Sequence, residues 1–105
     1  MLKRSILAAL PLLAAGAAQA GICERTAAPE YPAAVFRERP VKVTVEAYFE
    51  TGADARYHGL FRLKFNTGMP EQDRAAFAAS IETALRQYQC APNLQLTQTF
   101  GFSYD

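Results

Sequence analysis

This 105-residue sequence is poor in the residues that most site chemistry needs: it has one histidine and two cysteines, and its 11 basic residues are set against 10 acidic ones. The histidine, His58, has no neighbour of ligand type at workable spacing apart from those cysteines, whereas a structural zinc site takes four ligands. It reads as a solvated strand residue, and no metal is expected. The sequence has no Ser-His-Asp ordering, glycine-rich phosphate loop or paired-carboxylate signature, and a chain this short has little interior for a pocket. Neither enzymatic activity nor a cofactor is expected. The balanced charge argues against nucleic acid or an anionic membrane as partner. Long apolar runs are missing too: the one from Ile6 to Ala18 contains Pro11 and Gly16 and falls short of the ~20 residues that span a bilayer.

What that run does fit is an export signal. Lys3 and Arg4 precede it, and Ala18-Gln19-Ala20 closes it in the small-x-small pattern of a signal-peptidase site. Residues 1–20 are read as a signal peptide, leaving 21–105 as one small domain with a thin core and no membrane span. Ile22 stands before Cys23, where lipid attachment wants a small residue, and this disfavours a lipoprotein. Cys23 and Cys90 both fall in the mature part, and an exported chain with two cysteines most simply pairs them. Such a bridge closes nearly the whole domain into one loop, worth roughly 4 kcal/mol in the chain-entropy model. The alternative, a reactive thiol assisted by His58, is disfavoured by export and by the even cysteine count.

Along the mature chain the apolar pattern changes period. In "VKVTVEAYFE" Val41, Val43, Val45, Ala47 and Phe49 share one face, which predicts a half-buried strand. The polar "TGADAR" suits a turn, with Gly52 and Asp54. In the following "YHGLFRLKFN", Phe61, Leu63 and Phe65 alternate with Arg62, Lys64 and Asn66. The two strands are expected to form an antiparallel hairpin. After "TGMP", Pro70 can open a helix, Glu71 and Asp73 favour its positive end, and Phe77, Ile81, Ala84, Leu85 and Tyr88 recur at helical spacing up to Gln89. Pro92 and Asn93 stop it. The last segment, "LQLTQTFGFSY", alternates again, with Leu94, Leu96, Phe100, Phe102 and Tyr104 on one side and Gln95, Thr97, Thr99, Gly101 and Ser103 on the other. This order, β-β-α-β, predicts an α+β fold: a three-stranded antiparallel sheet packed on one helix.

"APEYP" precedes all of these elements. Pro29 and Pro32 stiffen a connector and restrict the residues before them, and Tyr31 offers a ring to dock between them. The segment reads as an extended N-terminal strap carrying Cys23 across the domain to Cys90. Arg37, Glu38 and Arg39 read as a solvated face, and Tyr48 as an ordinary exposed aromatic.

The sequence of features also resembles a known family. A P-x-Y-P segment (Pro29, Tyr31, Pro32), a strand pair, a Thr67-Gly68 turn and Asp73 ahead of Ala75-Ala76 come first. A helix ending in Tyr88 and then Pro92, and a last strand closing on Phe100 and Phe102, follow. Together these resemble the carboxy-terminal domain of TonB-type energy transducers over about Cys23 to Tyr104; the related TolA domain has a similar layout. The chain departs from the pattern in having Arg39-Pro40-Val41 where members have Gly-x-Val, and the longer "TGADARYHG" where they have a short Asp-x-Asp-Gly-type hairpin. It also lacks the uncleaved membrane helix and proline-rich linker of a complete transducer.

The resemblance implies a periplasmic module that takes up an extended segment of a receptor or other envelope protein, the TonB box, as an added strand. The implied partner-binding residues are Gln95, Leu96, Thr97, Gln98, Thr99 and Phe100. The polar face of this strand carries no charge and no proline to block pairing. The role implied is adaptor or regulator of TonB-type transport. Three alternatives stay open: a TolA-like envelope-protein binding module, a disulfide-stapled structural or inhibitory domain without peptide binding, and self-pairing into a homodimer through the same edge.

Overall fold

The computed structural model describes residues 22–104, so the signal-peptide assignment lies outside the described residues. The elements in chain order are α1 (Ala33–Glu38), β1 (Val43–Thr51), β2 (Tyr57–Phe65), α2 (Glu71–Leu85) and β3 (Gln95–Phe102). The three strands form one antiparallel sheet in the order β2-β1-β3, which puts β1 in the middle and leaves the other two as edges. This is the α+β arrangement expected from the periodicities, with the helix on the apolar face.

That face is built by alternation. Val43, Val45, Ala47 and Phe49 of β1 are all buried, as are Leu96, Phe100 and Phe102 of β3, and α2 lays Phe77, Ile81, Ala84 and Leu85 over them. Pro70 caps α2: its carbonyl accepts from the amides of Asp73 and Arg74, and Glu71 and Asp73 occupy the first turn. The helix ends at Leu85, earlier than the apolar spacing suggests. Tyr88 belongs to the following turn yet is 2% exposed, its ring edge-on to Phe49 at 5.8 Å. Burial pushes its hydroxyl well above the usual tyrosine range.

The alternation of β2 is broken where the sequence showed none. Phe49 faces Leu60 while Tyr48 faces Arg62, so Phe61 is an extra residue bulged out of the ladder. A bulge shifts the phase of the side chains by one. Leu60 takes the inward position, and Phe61, expected in the core, is 54% exposed. A second irregularity lies beside His58, between the pairs Thr51–Tyr57 and Glu50–Gly59. It turns Tyr57 inward, where its hydroxyl donates to Glu82 at 2.7 Å. Burial, then that carboxylate, push the Tyr57 pKa up to about 12.

The strap is extended only as far as Pro32, not through to the first strand. Proline's fixed φ suits a helix start, alanines have the highest helix propensity, and Ala33 to Glu38 form a short helix that buries Val35. Tyr31 is fixed less by the prolines than by Val41: its hydroxyl donates to the Val41 carbonyl at 2.5 Å and accepts from the Val41 amide at 2.7 Å. Its ring stands edge-on to Phe36 and Phe77, both at 5.5 Å, and to Phe102 at 6.1 Å. Nearby, the backbone carbonyl of Glu30 accepts from the Ser80 hydroxyl of α2.

Arg37, Glu38 and Arg39 are exposed, as expected of a solvated face, but Arg39 also has a fixed partner. Its guanidinium donates to both carboxylate oxygens of Asp73, at 2.9 and 2.7 Å, tying the end of α1 to the first turn of α2. Those hydrogen bonds hold the Asp73 carboxyl below its usual range, against the opposing push of burial, with the charge of Arg39 adding to them. At the opposite corner Cys23 and Cys90 are disulfide-bonded and buried. Around the bridge the amides of Glu24 and Arg25 donate to the Gln89 carbonyl, and the Gln89 amide donates to Arg25. The strap is therefore held by the disulfide, the Gln89 backbone, the Ser80 hydroxyl on the Glu30 carbonyl and the Tyr31 hydroxyl.

Candidate docking edge

The two sheet edges differ in what they offer a third strand. In an antiparallel ladder, residues alternate between directing both backbone groups at the neighbour and directing both away. The Thr51 amide donates to Leu94 at 2.9 Å, and the Asn66 amide donates to Thr44 at 3.1 Å. By this alternation the odd-numbered residues of β1 pair with β3 and the even-numbered ones with β2. On β3, therefore, Leu96, Gln98, Phe100 and Phe102 turn their backbone groups to β1. Gln95, Thr97, Thr99 and Gly101 turn theirs outward, where no strand pairs with them among the described residues.

The β3 edge is regular. Its eight residues run against β1 from Gln95 opposite Glu50 to Phe102 opposite Val43 without a register shift, and none is charged or proline. The β2 edge carries features that discourage pairing: the bulge at Phe61, the irregularity at His58, and the cations Arg62 and Lys64. Arg62 lies over the Tyr48 ring at 5.4 Å, and Phe61 packs beside the same ring at 6.3 Å. Tyr48, expected to be exposed, is thus half-buried, covered from the β2 side.

The six residues expected to bind a partner divide by this alternation. Gln95, Thr97 and Thr99 have side chains on the solvent face and backbone groups at the open edge. Leu96, Gln98 and Phe100 are 7%, 4% and 7% exposed and belong to the core face, so an added strand would meet their inward side chains and not their amides. The apolar alternation assigns Gln98 to neither face, because it interrupts the row from Leu96 to Phe100. Pro29, Tyr31 and Pro32 lie in the strap, and Cys23 and Cys90 close it; none of these belongs to the β3 edge.

At the start of β3 the edge runs into an open depression of about 450 Å³, walled by Glu50, Gly52, His58 and Gln95 among others. His58 is exposed there, its ring so close over Gly52 that a Cβ at that position would come within 2.9 Å of it. No group of three or more His, Cys, Asp or Glu able to hold a metal occurs among the described residues. Nor is any helix among them long and apolar enough to cross a membrane. Compared with models of known protein families and with curated proteins, the chain matches none.

Proposed function

We propose that this chain is an exported, periplasmic binding domain of TonB carboxy-terminal type that docks extended segments of envelope proteins by strand addition along β3. The observation that carries the reading is the contrast between the two edges. β3 presents the outward backbone groups of Gln95, Thr97, Thr99 and Gly101 in an uninterrupted, uncharged row, whereas β2 is bulged and cationic. Strand addition draws its affinity from such a row of main-chain groups and its selectivity from side chains. The buried disulfide suits an oxidising compartment. The domain would act as an adaptor or regulator, holding or competing for the segments that a complete transducer uses.

The test is an amide-NMR titration of oxidised residues 21–105 with a TonB-box peptide. Shifts concentrated along residues 94–104 support docking on β3. Shifts along β2, or none at millimolar peptide, overturn it, and partners of TolA type become the next to try.

A further inference from the structure

Gln98 is the one polar side chain on the core face of β3, and its carboxamide is half satisfied. Its Nε2 donates to the Thr99 carbonyl at 3.2 Å, while Oε1 is sealed from solvent without a hydrogen-bond partner among the described residues. Turning the amide over would lose the bond to Thr99, setting Oε1 against its carbonyl, acceptor to acceptor. A buried acceptor left bare opposes folding, and an unbranched apolar side chain of similar volume would fill the same space without that cost.

The placement gives the orphan acceptor a use. Thr99 is one of the residues whose backbone groups face the open edge, so the Gln98 amide occupies the carbonyl that an arriving strand's N–H would take. An added strand displaces it and at the same time sets a side chain beside it on the core side, because neighbouring residues of paired strands point to the same face with Cβ atoms about 5 Å apart. Gln98 turns its own backbone to β1, so an antiparallel newcomer would meet it at a non-hydrogen-bonded pair, where side chains approach closest.

We infer that Gln98 is a specificity-determining residue of the β3 edge, selecting an extended segment that sets a hydroxyl or carboxamide donor beside it on the core face. The inference rests on the strand-addition reading. The donor supplies Oε1 with the partner it lacks in the free protein, while the released NH2 group remains free to bond the same side chain. A segment with an isosteric apolar residue there leaves Oε1 bare, and sites of this kind discriminate strongly against a ligand that lacks the matching group.

The experiment titrates the oxidised protein, and its Gln98→Met variant, with a TonB-box peptide series in which each position in turn carries Thr or Val. At one position Thr→Val should weaken binding to the wild type about tenfold, the equivalent of one hydrogen bond lost to a buried acceptor. The same exchange should leave binding to Gln98→Met unchanged. Without peptide, Gln98→Met should melt no lower than the wild type. If the Thr and Val peptides bind the wild type equally while still shifting β3, this inference is overturned and strand addition stands. If no peptide shifts β3, both are overturned. A clear fall in the melting temperature of peptide-free Gln98→Met would mean that the carboxamide as a whole stabilises the free protein, and that also overturns it.

Discussion

Replacing Tyr31 by phenylalanine removes one oxygen atom and tests how the strap is held. The ring and its edge-on contacts with Phe36, Phe77 and Phe102 remain. The loss is the pair of hydrogen bonds to the amide and carbonyl of Val41, at 2.7 and 2.5 Å. Each such bond is worth about 1 kcal/mol net, and more where the abandoned backbone group stays dry. Val41 is only partly buried and water can reach part of it, so Tyr31→Phe should cost about 2 kcal/mol, the plain sum of two net bonds. For a domain of this size that lowers the melting temperature by about 10 °C. Urea unfolding of the oxidised protein should show a lower midpoint at unchanged slope, the signature of a loss of stability without a change in the surface exposed. A variant within about 0.5 kcal/mol of the wild type, the usual range for surface changes, would refute the reasoning, because it would mean the hydroxyl does not hold Val41 in solution.

Three further outcomes follow from other parts of the fold. Ala55 sits in the hairpin turn at φ 68°, a left-handed conformation that costs a Cβ-bearing residue about 1–2 kcal/mol. After the entropy that glycine adds to the unfolded chain, Ala55→Gly should stabilise by about 0.5–1 kcal/mol, read as a higher urea midpoint. The Asp73 carboxyl, held below its ordinary value of 3.8 by the hydrogen bonds from Arg39, adds stability that is fully present above about pH 4 and drains away as pH falls through the depressed folded value. Asp73→Asn should remove that part of the acid dependence, which urea midpoints measured between about pH 2 and 5 would reveal. The purified protein should show no titratable thiol without reductant, and the Cys23→Ser/Cys90→Ser variant, which opens a link between residues 67 positions apart, should lose about 4 kcal/mol.

The strands and main helix were legible because their apolar residues recur at the right periods: Val43 to Phe49, Phe77 to Leu85 and Leu96 to Phe102 all reach the core. Phe61 was misread because its local alternation is flawless. The bulge that turns it outward comes from the register against β1, which no pattern within β2 encodes. The short helix after Pro32 was hidden by the two prolines, which suggested extension, although a proline can as well precede a helix. Arg39 and Asp73 lie 34 residues apart and meet only once the strap crosses α2, so their pairing carries no local signal. Within the candidate edge the uncharged row could be read from the sequence. Which residues turn their amides outward could not, since that follows from which of the two neighbouring strands each residue of β1 pairs with.

Amide hydrogen exchange along β3, with and without a TonB-box peptide, tests the central claim most directly. In the free protein the amides of Leu96, Gln98, Phe100 and Phe102 should be protected, and those of Thr97, Thr99 and Gly101 should exchange freely; saturating peptide should then protect this second set. Protection of Thr97, Thr99 and Gly101 without peptide would mean the edge is already paired, and no gain on adding peptide would mean it does not take a strand. Either result contradicts the account.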